Sequence, residues 1–157
     1  MVKENYNFGF PSGEKRYAKA IASNAPVSWK YSLEICREIK GKDWEKAKSF
    51  LERVITHEQW LPLRKYTKDM GHRRGKPTSN TKTGRFPQLC CKAWIKLLDQ
   101  VKANADYKGM DSEHLMIVHA VASQGIGRRS HQSQGRMSGK MRKKKAAHLE
   151  VVVRESA

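Results

Sequence analysis

Between LMIVHAVAS (Leu115–Ser123) and HLEVVVR (His148–Arg154), both of which read as strands, lies RRSHQSQGRMSGKMRKKK, from Arg128 to Lys145. The insert carries eight Lys or Arg, no Asp or Glu, and no aliphatic residue except methionine. No acid occurs anywhere from His114 through Leu149. A stretch without an apolar stripe cannot bury enough surface to offset the entropy of ordering it. Its flanking strands are close in sequence and pair most simply as an antiparallel hairpin. The chain is therefore expected to project residues 124–147 from its body as an extended basic arm. With pairing continued outward, each side would reach about 40–50 Å at 3.3 Å per residue. An isolated two-stranded ribbon is marginal in water, and this one repels itself. Gly125, Gly127, Gly135 and Gly139 add freedom that ordering must remove. The expectation is an arm mobile on its own and neutralised by phosphates, for which arginine is the best-shaped partner.

The rest of the chain agrees. Of 32 Lys+Arg against 15 Asp+Glu, the arm holds eight, so the remainder still stands at 24 against 15, a net +9. A chain basic throughout favours a polyanion, nucleic acid first. RKKK (Arg142–Lys145) alone would pass for a nuclear-import signal, but an address has no reason to sit between two paired strands. No apolar run approaches the ~18 residues of a membrane span. The opening MVKENYNFGFPSGEKR has no signal-like apolar region, so a cytosolic or nuclear chain is expected. Cys36, Cys90 and Cys91 are odd in number and lack zinc-site spacing. They read as small core residues, and the six scattered histidines complete no metal site.

Periodicity places the elements. Residues 1–14 read as an extended lead, and EKRYAKAIA as a short strand around Tyr17, Ala18 and Ile21. Ser28 is the expected N-cap of a helix carrying Trp29, Leu33, Ile35, Cys36 and Ile39 and ended by Gly41. Asp43 would cap a second, with Ala47, Phe50, Leu51, Val54 and Ile55 on its apolar face. Periodicity then fades from His57 to Phe86, where Gly, Pro, Ser, Asn and Thr predict a long ordered loop; loops of that length are usually functional. Pro87 is expected in the first turn of a third helix. Its stripe is Cys90, Ala93, Trp94, Leu97, Leu98, Val101 and Ala105, and Gly109 stops it. The predicted fold is α+β: three helices packed on a small three-stranded antiparallel sheet, with the long basic β-hairpin as an extension of one domain.

A second acid-free zone runs from Met70 to Leu98 and gathers Arg73, Arg74, Lys76, Lys82, Arg85, Lys92 and Lys96. Gly71, Gly75 and Gly84 would admit a phosphate or base close to the backbone. His72 and Phe86 are candidates to stack on or bond RNA bases, with packing at the helix start as the other reading of Phe86. Trp29, Trp44 and Trp94 belong to core stripes, and Trp60 is open. Enzyme readings fare poorly: there is no P-loop, nucleophile elbow or H-E-x-x-H. A nuclease built on His131 would lack a nearby metal-binding carboxylate.

EIKGKDWEKAKSFLERV, GHRRG followed by TGRFP, NADYKGMDSEHLMIVHA, and GRMSGK with HLEVVV together cover roughly residues 15 to 154. In this order they resemble the universal large-subunit ribosomal protein family, called L-twenty-two in bacteria and L-seventeen in eukaryotes. The long loop matches its archaeal and eukaryotic branch. The resemblance implies a non-enzymatic constituent of the large subunit without cofactor. It would bind ribosomal RNA, support assembly, and line the polypeptide exit tunnel with its hairpin beside ribosomal protein L-four and the nascent polypeptide. The location implied is the cytoplasmic ribosome, with a nucleolar stage if the source is eukaryotic.

The RNA-binding candidates are then Lys15, Arg16, Lys30 and Lys92 on the body, and His72, Arg73, Arg74, Lys76, Lys82 and Arg85 on the loop. On the hairpin they are Arg128, Arg129, Arg136, Lys140, Arg142, Lys143, Lys144 and Lys145. His131, Gln132, Gln134, Arg136 and Met137 are candidates for the tunnel tip, where HQSQ replaces the family's usual Pro-Arg-Ala run before Gly135-Arg136. The rival reading is a nuclear or regulatory RNA- or DNA-binding protein with a disordered basic arm. Stoichiometric presence in large subunits separates the two.

Overall fold

The computed structural model describes residues 6–10, 16–75, 80–136 and 138–155. Ten elements follow in order. β1 (Tyr17–Ala25), α1 (Trp29–Ile39) and α2 (Trp44–Ile55) come first, then the two-residue strands β2 (Leu61–Pro62) and β3 (Gly84–Arg85). α3 (Gln88–Tyr107), β4 (Leu115–Gln124), β5 (Arg128–His131), β6 (Met141–Lys144) and β7 (Ala147–Glu155) complete the chain. β1, β7 and β4 form the central antiparallel sheet in that order, with β7 in the middle. The three helices and three-stranded sheet expected from sequence are present.

The sheet's two faces can be read from the alternation along β7. Ala147, Leu149, Val151 and Val153 join the core under the helices, while Glu150 and Val152 are buried on the other side. β4 shows the same logic with one interruption. Leu115 and Ile117 point into the core, the register slips between Ile117 and His119, and Ala120 and Ala122 take over. One extra residue shifts the inward parity from odd to even, as a β-bulge must. The α1–α2 turn covers the outer edge of β4: Gly41 N–H donates to the Ile117 carbonyl at 2.8 Å and Ile117 N–H to that of Lys42 at 2.9 Å. A backbone edge that would otherwise invite another strand is thus paired.

The helical stripes pack largely as predicted, but Trp29, Leu33, Ile55 and Ala93 are only half-buried, and Leu33 lies outside the core cluster. Trp94 is wholly buried, and Trp44 is buried with its indole N–H donating to the Leu98 carbonyl at 2.8 Å. All three cysteines are free and buried, as core residues should be. Burial pushes the Cys36 and Cys91 thiols up to about 12 and also raises that of Cys90.

Several local expectations need correction. Ser28 and Asp43 occupy N-cap positions with extended backbones, yet neither side chain bonds the helix; Asp43 pairs with Lys46 instead. Pro87 is the N-cap of α3 and not a residue of its first turn. β1 runs on to Ala25 and buries Ala20 where Ile21 was expected. The lead is more than extended chain over its described part: Phe8 packs against Tyr17 and His119, with ring centroids 5.7 and 5.3 Å away. Asn7 N–H donates to the Glu150 carboxylate at 2.8 Å. This helps explain the second buried face of β7, whose polar Glu150 is partnered by Asn7 of the lead and by His119 of β4, 3.2 Å away.

Candidate nucleic-acid interface

The arm does not continue the central sheet. The last core pair is Gln124↔Ala147, and pairing resumes at Arg128↔Lys144, so three residues oppose two. β5 and β6 are a separate two-stranded sheet with four pairs, which corrects the single long ribbon expected from sequence. The offset is built around Asn24, next to last in β1, with φ +51°. Its side-chain oxygen accepts the Ile126 N–H at 3.2 Å, and its own N–H donates to His148 Nδ1 at 3.3 Å. Gly125 is required beside it: a Cβ there would stand 2.8 Å from the Asn24 oxygen and 3.1 Å from the Ala146 carbonyl carbon.

Beyond this joint, every cross-strand relation is unfavourable or neutral. Arg128 faces Lys144, Arg129 faces Lys143 and Ser130 faces Arg142. Like charges directly opposite destabilise a ladder. All of β6 is exposed, as is β5 apart from half-buried Ser130. With neither face buried, the ladder's internal support among the described residues is its backbone bonds and one Arg142–Gln132 side-chain bond at its end. The turn that closes it is ordered by backbone bonds and by the side chains of Gln132 and Ser138. Gly139 N–H donates to the Gln132 carbonyl at 2.8 Å, Gln132 N–H to that of Lys140 at 3.1 Å, and Gly135 and Gly139 supply positive φ. The Gln132 amide donates to the Gln134 carbonyl at 3.1 Å and accepts from the Arg142 guanidinium at 2.7 Å.

The tip candidates therefore separate. His131 sits in β5 opposite Met141, and Gln132 is used within the turn, while Gln134 and Arg136 are exposed at its end. Met137 lies outside the described residues.

The 57–86 loop is a folded excursion closed by the β2–β3 ladder and a His72↔Thr83 bridge. Trp60 supplies its packing, and a Cβ on Gly84 would fall only 2.0 Å from Trp60 Cδ1. Phe86 is half-buried against the core: His57 stacks on it at 4.5 Å, and the Arg73 guanidinium lies 5.2 Å from its centroid. These contacts favour the packing reading of Phe86 over a base platform. Arg73 also donates Nε–H to the Gly84 carbonyl at 3.1 Å, and Arg85 donates to the same carbonyl at 2.9 Å. Both thus brace the loop, leaving His72, Arg74 and Lys82 as its exposed described candidates, with Lys92 exposed on α3. Lys15 and Lys76 lie outside the described residues. Arg16 is exposed and 3.9 Å from Glu155, a surface pair of little energetic weight.

Further candidates lie where sequence alone did not point. Lys65, Tyr66 and Lys68 of RKYTK converge with Lys30 at the start of α1 and Lys145 at the arm root on one cavity of about 370 Å³. Basic residues interleaved with an aromatic were the available signal, hidden because they lie before the acid-free zone. Glu34, on the cavity floor, accepts the Lys65 N–H at 2.8 Å and lies 3.5 Å from the Arg37 guanidinium. Among the described residues no group of three His, Cys, Asp or Glu is placed to hold a metal ion, and no helix is long and apolar enough to cross a membrane.

Residues 20–154 match the family model described as ribosomal protein L22p/L17e. Among curated proteins, the chain is 41% identical over 125 residues to "Large ribosomal subunit protein uL22" of Archaeoglobus fulgidus, covering 80% of this chain and 79% of that one. The protein of the same name from Methanococcus vannielii is 41% identical over 140 residues, 88% of this chain and 89% of that one. That of Hyperthermus butylicus is 38% identical over 145 residues, covering 90% and 92%.

Proposed function

This chain belongs to the ribosomal protein L22p/L17e family, and from that premise we propose that it binds large-subunit ribosomal RNA through its arm and loop and lines the polypeptide exit tunnel with the arm's tip. It is a structural protein of the large ribosomal subunit and not an enzyme. The observation carrying the proposal is the β5–β6 ladder, in which Arg and Lys face Arg and Lys with neither sheet face buried. Phosphates supply the missing counter-charge and RNA the missing packing surface. The joint at Asn24 and Gly125 sets the direction in which the arm leaves the body. Arg128, Arg129, Lys140, Arg142, Lys143, Lys144 and Lys145 then contact RNA along the arm, and Arg74, Lys82 and His72 do so from the loop. Gln134 and Arg136 are placed farthest along the turn, next to the nascent polypeptide and ribosomal protein L-four. The cellular site is the cytoplasmic ribosome.

A photoreactive group at position 136, in purified ribosomes carrying a stalled nascent chain, tests this reading. Crosslinks to tunnel RNA or to the nascent peptide are expected. Absence of the chain from large subunits would refute the ribosomal role and favour a regulatory nucleic-acid-binding protein.

A further inference from the structure

Lys30, Lys65, Lys68 and Lys145 come from three separate parts of the chain, yet line one cavity. Among the described residues none of the four forms an ion pair, whereas Lys42, Lys46 and Lys48 on the α1–α2 side each have an acidic partner. The one carboxylate at the cavity, Glu34, is 99% buried and already occupied by the Lys65 N–H and Arg37. The electrostatic excess therefore belongs to whatever enters. Tyr66 gives the site a flat apolar wall. Its ring is half-buried, braced edge-on by Trp29 at 5.4 Å, and covered by Lys30 Nζ at 4.7 Å. An ammonium group over an exposed ring is a weak interaction that a stacking base outcompetes, and the displaced ammonium is then free to meet the phosphate attached to that base.

Size selects the ligand further. A cavity of about 370 Å³ is at the low end of ligand sites, roughly 300–1,000 Å³. It admits one base, while a duplex presents only its backbone and shallow groove to such a cleft. The start of α1 adds to the attraction: its first turn holds no acid and Ser28 makes no side-chain cap.

We propose that this cleft takes one unpaired ribonucleotide, its base against Tyr66 and its phosphates held by Lys30, Lys68 and Lys145. The inference rests on the RNA-binding role proposed above and gives it a specific site. One nucleotide would touch α1, the loop and the arm root together, so binding there adds to the Asn24 hydrogen bonds in tying the arm to the body.

The test places benzoylphenylalanine at position 66 in intact large subunits, with and without Lys30→Ala and Lys145→Ala. Illumination should crosslink residue 66 to a single ribosomal RNA nucleotide. The double variant should lower that yield roughly tenfold or more, as loss of charge-assisted contacts implies, and expose the same nucleotide to base-modifying reagents. If the substitution at 66 prevents folding, the same probe at exposed position 68 gives the readout. Subunits that contain the chain but crosslink it only to protein, to scattered nucleotides, or independently of the two lysines overturn the nucleotide site while leaving the ribosomal role intact. Absence of the chain from subunits overturns both.

Discussion

β4–β7 and β5–β6 are cut from the same two chain segments, separated by a single two-against-three offset, yet they solve opposite problems. In the first, Leu149, Val151 and Val153 are buried under the helices, while Glu150 and Val152 are buried on the opposite face, where Asn7 of the lead bonds Glu150. Each buried aliphatic contributes about 1.5–3 kcal/mol, so this ladder is held from both sides by the chain itself. In the second, exposed Arg and Lys face each other and, apart from half-buried Ser130, both faces are exposed among the described residues. Both are antiparallel and hydrogen-bonded along the backbone; burial and charge differ. The contrast teaches that a ladder can be encoded in a chain without the chain supplying what stabilises it.

Substitutions should divide along the same line. Leu149→Ala removes a fully buried side chain and is expected to cost about 2–5 kcal/mol, measured by denaturant unfolding. Gly84→Ala would drive a methyl into Trp60, and a loss of about 1–3 kcal/mol is expected from the forced shift. If that variant were neutral, the loop would not be packed as described.

The buried thiols give the core a pH signature that the arm lacks. Their folded-state pKa is raised, so the folded protein holds the thiol protons more tightly than the unfolded chain. Stability from this source is full below the ordinary thiol value of 9.0 and falls as pH rises toward about 12, where Cys36 and Cys91 would ionise in the fold. Melting temperature against pH between 8 and 11, compared with Cys36→Ala, checks the direction.

In the arm, Arg128→Ala with Arg129→Ala should lower the slope of log affinity for ribosomal RNA against log salt by about 1.4–1.8, from roughly 0.7–0.9 per phosphate contact. Met141→Ala, exposed in β6, should change stability by less than about 0.5 kcal/mol. A larger loss there would mean the arm packs on the body and the comparison is wrong.

Much of the first region was legible in sequence because its signals are local and periodic. The stripes of α2 and α3 and the Val-rich β7 follow spacings set by helix and strand geometry. The bulge in β4 was not, since LMIVHAVAS is apolar enough at both parities to hide a parity change. Glu34 was also missed: a helix-periodic reading has no means of seeing that its partner is a backbone N–H 31 residues away. Phe86 stayed open for a related reason. An aromatic beside arginines reads equally as an RNA platform or as packing, and only the position of His57, turned by a φ of +68°, decides it. For the arm, sequence gave its place and chemistry, while the offset at Asn24 depends on a strand about 100 residues earlier.

Amide hydrogen exchange on the free protein and on large subunits tests the central claim, that the β5–β6 ladder depends on its partner. The account predicts strong protection across β4 and β7 in both states, and protection of Arg129–His131 and Met141–Lys144 that rises at least about a hundredfold on assembly. Arm amides as protected as those of β7 in the isolated protein would contradict it.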